Sequence, residues 1–240
     1  MNNFTPRSAP PAPRSPLCAL RSLPRAGFTL TEILITTAIS TVVMGTALTF
    51  FITSLNIFAF DVGKNLVNRD IRAFTSEVVD NATYANYFQI YPDFYTRSST
   101  STATPPVTTS LHVEDQQSGE LLVLVYKDPT NVDKVSRLVG YYRAPDPNDP
   151  EGKGPVRKFD IAISPSSSSP VYALLPATST FHTNPEVIEI SRGLADGRLF
   201  YNVRNKSIMI NGQIIHRGGL AKSRYERATN TYNFTVSPRG

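Results

Sequence analysis

Residues 27–60 read GFTLTEILITTAISTVVMGTALTFFITSLNIFAF, and this stretch decides how the rest of the chain is organised. The 28 residues from Ile33 to Phe60 include no Asp, Glu, Lys or Arg. A helix of that length extends about 42 Å, which exceeds the roughly 30 Å hydrocarbon core of a bilayer. The stretch therefore predicts a membrane-spanning helix.

Glu32 is the one charged residue between Arg25 and the end of this apolar run. A carboxylate at the centre of a bilayer costs about 2.5–3.5 kcal/mol on insertion scales. The helix dipole favours a negative charge near the helix N-terminus. Two interpretations follow: Glu32 pairs with a positive amine, or it only caps the helix at the membrane edge.

The 27 residues before this run have the opposite character. They are Pro-rich, carry four arginines and have no acidic residue, and this basic flank predicts a cytoplasmic N-terminus. A secretory signal would place its apolar stretch before the cleavage site, whereas here the apolar stretch follows Gly27.

Residues 27–32, GFTLTE, followed by Ile33-Leu34-Ile35, resemble the cleavage and methylation motif of the type IV pilin and type II secretion pseudopilin family. The resemblance implies that prepilin peptidase cuts between Gly27 and Phe28 and that the new Phe28 amine is N-methylated. It further implies that the Glu32 carboxylate pairs with the Phe28 amine of an adjacent subunit. The resemblance extends over about 35 residues and does not reach the rest of the chain.

Gly45 lies inside the apolar run, among several Ser and Thr residues. Glycine costs about 1 kcal/mol relative to alanine in a helix interior. By resemblance, Gly45 is the candidate position at which the helix loosens when subunits pack into a filament. The alternative is that it only allows helices to approach closely.

Four segments follow from this pattern. Residues 1–27 form a leader that is removed, 28–60 the membrane and assembly half of a helix, 61–90 its amphipathic half, and 91–240 a globular head. The three- and four-residue spacing of apolar side chains predicts the amphipathic half. Short apolar runs after it predict an α+β, pilin-like fold in which the long helix packs on an antiparallel sheet. Strands are expected at residues 121–126, 135–143, 156–163, 171–175, 187–191, 198–203, 207–210, 213–216, 224–228 and 232–236, with hairpin turns at Asn211-Gly212 and at residues 229–231.

Three polar tracts, near residues 98–110, 144–155 and 164–170, have compositions typical of surface loops. The second tract has an oxygen-rich cluster that is a weak candidate for calcium binding. Its spacing does not match a calcium-binding helix–loop–helix pattern, and a solvated loop is the favoured interpretation. The four candidate residues are Asp146, Asn148, Asp149 and Glu151.

Composition narrows the range of possible functions further. The net charge of +5 falls to about +1 without the four leader arginines, so no nucleic-acid-binding surface is predicted for the mature chain as a whole. The single cysteine, Cys18, also lies in the leader. The three histidines are scattered and form no H-x-x-x-H pair, and no nucleophile elbow or P-loop is present. We therefore expect neither an enzyme nor a cofactor.

The favoured hypothesis is a structural pilin-like subunit. Its expected partners are prepilin peptidase, other pilin or pseudopilin subunits and the inner membrane. Its helix would cross the inner membrane once, with the N-terminus cytoplasmic and the head periplasmic until assembly carries it into a filament. The mature length of about 213 residues (240 minus 27) is larger than that of the family's common major subunits and favours a minor subunit. The alternative is a signal-anchored periplasmic binding module or enzyme outside any filament. Pilus and secretion pseudopilus are not distinguished by the sequence.

Overall fold

A computed structural model describes residues 27–100, 108–145, 148, 153–193, 197–216 and 228–239. Its contacts divide the chain into two compact units, with the boundary between Phe50 and Phe51. Residues 1–26 of the expected leader lie outside the described residues.

One helix, α1, extends over 55 residues from Leu30 to Tyr84. Every residue from 27 to 53 is exposed. Buried side chains begin only at residue 63 and then recur at helical spacing, which gives the second half one apolar face. The buried residues of α1 are Gly63, Val67, Phe74, Val78 and Ala82.

In the described residues of the head, nine strands form an antiparallel sheet in the order β1-β5-β6-β7-β8-β10-β9-β4, and β11 pairs with the other edge of β10. A separate two-stranded sheet pairs β2 with β3. The strands are β1 Tyr87–Tyr91, β2 Ser98–Thr100, β3 Thr108–Ser110, β4 Ser118–Gly119, β5 Leu121–Lys127, β6 Val135–Arg143, β7 Gly154–Ser167, β8 Glu186–Gly193, β9 Phe200–Val203, β10 Ser207–His216 and β11 Ala228–Val236.

A single residue, Glu120, separates β4 from β5. At one end of the strand order β4 pairs with β9, and near the other end β5 pairs with β1 and β6. The bend at Glu120 therefore connects the two ends of the strand order covalently. Gly119 makes the bend possible, since a Cβ on it would lie 2.2 Å from the Tyr91 carbonyl oxygen.

The sheet is buried on both faces, and β5 shows this most clearly. Leu122 and Leu124 belong to the core beneath α1, whereas Leu121, Val123 and Val125 belong to a second core on the opposite face. Burial on both sides explains why the run is apolar without alternation.

Phe74 is the central contact between α1 and the sheet. Its ring makes edge contacts with Tyr141, Tyr232 and Phe234 at centroid distances of 5.9, 5.9 and 6.2 Å. This aromatic cluster joins the helix to β6 and β11, which are remote in sequence.

Polar contacts also join α1 to the sheet. Asn81 donates to the Tyr141 hydroxyl at 2.8 Å, and the Tyr126 hydroxyl donates to the Asn81 carbonyl at 2.6 Å. Glu77 forms an ion pair with Lys158 at 2.6 Å. Burial, and then the charge of Glu77, raise the pKa of Tyr141, so its hydroxyl stays protonated.

The second core is covered by residues 171–184, which include the short helix α2, Val171–Leu174, and a 3-10 turn at Thr178–Thr180. The buried Tyr142 hydroxyl donates to the Phe181 carbonyl at 2.6 Å and holds this segment against the sheet.

The α+β fold with a long helix on an antiparallel sheet is confirmed, but α1 ends earlier than the predicted Ile90. It stops at Tyr84, and Tyr87–Tyr91 forms β1 along β5. The apolar periodicity of residues 85–90 also fits a half-buried strand, and pairing with β5 decided between the two.

Both predicted hairpin turns in the last third of the chain are wrong. Asn211-Gly212 lies inside the continuous strand β10, where Gly212 leaves room for Tyr232 directly opposite. Residues 229–231 lie inside β11. The turn before β10 is instead formed by Arg204 and Asn205, whose φ angles of 57° and 54° suit a tight hairpin.

Other local predictions also change. The expected strand at 171–175 is the helix α2. β2 and β3 lie within the first polar tract, and β7 extends into the third as far as Ser167. Residues 101–107, most of 146–152 and the strand expected at 224–227 lie outside the described residues.

Replacing Phe74 with Ala should lower the free energy of unfolding of the head by about 3–5 kcal/mol, because a fully buried aromatic side chain would leave a cavity. Urea unfolding in detergent, followed by near-UV circular dichroism, measures the loss. Tyr84→Ala is the matched control, since Tyr84 is 77% exposed at the end of the same helix. Equal stability of the two variants would contradict the described packing.

Candidate functional site

The candidate site is the start of α1. Gly27, Phe28 and Thr29 precede the helix, and Phe28 is 81% exposed. No atom lies within 4 Å of the position that a Cβ on Gly27 would occupy. The bond between Gly27 and Phe28 is therefore flanked by open space within the described part of the chain.

Glu32 and Thr29 form a reciprocal cap on the first turn. The Thr29 backbone N–H and hydroxyl both donate to Glu32 Oε2 at 3.0 Å, and the Glu32 N–H donates to the Thr29 hydroxyl at 3.3 Å. This is the capping-box arrangement, in which a Thr and a Glu three residues later satisfy each other's backbone donors.

The cap uses only one carboxylate oxygen. Glu32 Oε1 has no hydrogen bond to any residue that the structure describes, and the side chain is exposed. The carboxylate can therefore accept a further donor from outside the subunit while it still caps the helix.

Five threonines in the exposed apolar half of α1 donate their hydroxyl groups to carbonyls of the helix itself. Thr36, Thr37 and Thr49 donate to the carbonyls four residues earlier at 2.7, 2.7 and 2.9 Å. Thr41 and Thr46 donate to the carbonyls three residues earlier at 2.8 Å. Because these donors are satisfied internally, the five threonines can lie in lipid without the cost of an unpaired hydroxyl.

Gly45 lies in the middle of this surface. Apart from its chain neighbours and the backbone of its own helical turns, no described atom lies within 4 Å of the position that its Cβ would occupy. The described packing inside the subunit does not require a glycine at this position. Both hypotheses for Gly45 stay predictions: that the helix loosens there in a filament, and that the glycine allows neighbouring helices to approach closely.

The weak calcium candidates are not brought together in the part of the chain that is described. Asp146, Asp149 and Glu151 lie outside it, so only Asn148 can be placed. Within the described ranges no group of three His, Cys, Asp or Glu residues is arranged to hold a metal ion. His112 is exposed, with its Nδ1 3.4 Å from the Ser110 hydroxyl.

Residues 23–48 match the family model described as the prokaryotic N-terminal methylation motif. The match supports assignment of the chain to the type IV pilin and type II secretion pseudopilin family, a structural family, and it marks the chain as a pilin-like substrate of prepilin peptidase. Comparison with curated proteins and with solved structures finds no match.

Among the described residues, one helix, α1, is long and apolar enough to cross a membrane, and it fits the membrane anchor of a pilin. The motif also implies processing by the peptidase and association with other pilins.

Thr29 was missed by sequence reasoning as part of this site. The Thr-x-x-Glu spacing of residues 29–32 just before an apolar run is the usual sequence signature of a capping box. The two interpretations of Glu32 are therefore compatible. Its Oε2 caps the helix, while its Oε1 is available to pair with a positive group.

Thr29→Val should remove the hydroxyl that accepts the Glu32 N–H and should speed hydrogen exchange of that amide about fivefold, equivalent to a cap worth about 1 kcal/mol. Thr29→Ser retains the hydroxyl and should exchange like the wild type. Amide exchange measured by NMR on the full chain in micelles checks both. Identical rates in all three proteins would contradict the cap.

Proposed function

We propose that this chain is a minor structural subunit that assembles through α1 into a type IV pilus or a type II secretion pseudopilus. Prepilin peptidase removes residues 1–27, and the exposed Phe28 amine is N-methylated. The segments 28–60, 61–84 and 85–240 then serve as the assembly helix, its head-packing half and the head, since α1 ends at Tyr84.

The observation that carries this proposal is Glu32, whose carboxylate is exposed at the start of an apolar helix and has one oxygen available. Cleavage after Gly27 would create a positive amine four residues away in sequence. In a bilayer a stranded charge is costly, so the amine of one subunit and the carboxylate of its neighbour would each remove the cost of the other.

The exposed half of α1 supports helix-to-helix assembly. From residue 27 to residue 53 its side chains are all exposed, so lipid would cover them in the membrane and neighbouring helices in a filament. Small and hydroxyl residues allow such helices to approach closely, and Gly45 offers the least obstructed point.

Before assembly the subunit would cross the inner membrane once. The four leader arginines favour a cytoplasmic N-terminus, which places the head in the periplasm. The proposed partners are prepilin peptidase, the inner membrane and other pilin or pseudopilin subunits. The minor role rests on the size of the head and its nine-stranded sheet.

Coexpression with prepilin peptidase should yield a chain that begins at Phe28 and carries one added methyl group, as read by intact-mass spectrometry. Gly27→Val should block cleavage, because a branched Cβ would crowd the scissile bond in the protease cleft. Gly45→Ala is the control and should be processed normally. Cleavage elsewhere, or none in the wild type, would overturn the processing step.

Glu32→Gln should leave processing intact but reduce the subunit recovered in sheared filaments about tenfold or more, because the Phe28 ammonium of a neighbour would lose its counter-charge in lipid. Glu114→Gln, at an exposed glutamate of the head, should assemble like the wild type. Normal assembly of Glu32→Gln would favour the alternative, a signal-anchored periplasmic module whose function does not depend on Glu32.

A further inference from the structure

A pocket of about 250 Å³ opens in the head, on the side of the sheet away from α1. Its walls come from the loop after β1, the Glu120 bend, the end of β6 and the segment that covers the second core. The volume lies below the roughly 300–1,000 Å³ typical of drug-sized ligands, so one ring-sized group fits.

One wall of the pocket is aromatic. Phe94 and Phe181 are buried and in contact, with ring centroids 5.4 Å apart, and they support Tyr95, whose ring lies 4.8 Å from Phe181. Tyr95 is 56% exposed, which leaves much of a rigidly backed ring open to a ligand. Such a ring is suited to stacking against a flat apolar face.

The floor of the pocket is a buried ion pair. Arg143 Nε and Nη2 donate to the two carboxylate oxygens of Glu120 at 2.9 and 2.6 Å, and the two side chains are only 8% and 11% exposed. Since each charge is paired with the other, the floor is polar but nearly neutral.

Two polar groups border the pocket with bonding capacity to spare in the described part of the chain. Asp93 uses only Oδ1, which accepts the backbone N–H groups of Tyr95 and Thr96 at 2.7 and 2.6 Å. The exposed His182 imidazole has no hydrogen bond to a described residue. An apolar group in the pocket would desolvate both without replacing their bonds with water.

The surrounding charges favour a neutral ligand. Arg97 does not line the pocket, but its guanidinium lies 4.9 Å from the Phe94 ring centroid and interacts electrostatically with Asp93, so it offsets the charge of that carboxylate. A neutral ring with an apolar face and several hydroxyl groups meets all these conditions, because the face stacks on Tyr95 and the hydroxyls bond to Asp93 and His182.

We propose that this pocket binds a single neutral pyranose ring of a saccharide. The ring lies with its C–H face on Tyr95, and its hydroxyl groups donate to the free Asp93 oxygen. This binding site is independent of Glu32 and of assembly through α1.

Saturation-transfer NMR on the full chain tests the site, with the methyl glycosides of glucose, galactose, mannose and N-acetylglucosamine as probes. The micelles must consist of a detergent without a sugar headgroup, because a glucoside or maltoside would occupy the pocket. At least one glycoside should receive magnetisation, most strongly at the protons of one ring face.

Tyr95→Ala should weaken the binding of that glycoside about tenfold, through loss of the stacked ring. Asp93→Asn should also weaken it, since the amide keeps Oδ1 for the turn but replaces the free acceptor with a donor. Tyr84→Ala removes an exposed tyrosine remote from the pocket and should bind like the wild type. Near-UV circular dichroism verifies that each variant is folded.

Three results would overturn the proposal. They are no transfer to any of the four glycosides, binding that both pocket variants leave unchanged, and binding of the neutral aromatic probe p-cresol in place of the glycosides. The last result would assign the pocket to an aromatic side chain of a protein partner.

Discussion

A single helix that must satisfy two different surroundings is the constraint on which the rest of this structure depends. In its first half every side chain from residue 27 to residue 53 is exposed and most are apolar, whereas in its second half one face is buried. A bilayer offers no hydrogen bonds, so the threonines of the first half bond to their own helix. The second half can instead send polar groups such as Asn81 to the sheet.

In the head, both faces of the sheet carry a buried core. Polar residues at these cores are paired, as Glu77 is with Lys158 and Glu120 with Arg143. Of these two pairs only Glu120–Arg143 is fully buried, and removing one member of such a pair costs about 3–5 kcal/mol, since the other charge is left without a partner. These pairs constrain which segments can lie together more than they add to net stability.

The bend at Glu120 links architecture to the proposed saccharide site. The same residue lets the chain pass from β4 to β5 and places a carboxylate where Arg143 arrives at the end of β6. The loop after β1 and the segment around Phe181 then close the aromatic wall above the pair. The pocket is thus a product of four segments that are remote in sequence.

Local composition and periodicity are enough to predict the apolar helix, the motif at residues 27–32 and the α+β class. The Thr-x-x-Glu spacing of the cap is equally local. Three features depend instead on contacts between segments that are remote in sequence: α1 ends at Tyr84, Asn211-Gly212 stays extended opposite Tyr232, and Glu120 pairs with Arg143. Strand pairing outweighs local turn and helix preferences because neighbouring strands satisfy backbone hydrogen bonds and bury side chains that no short segment can satisfy alone.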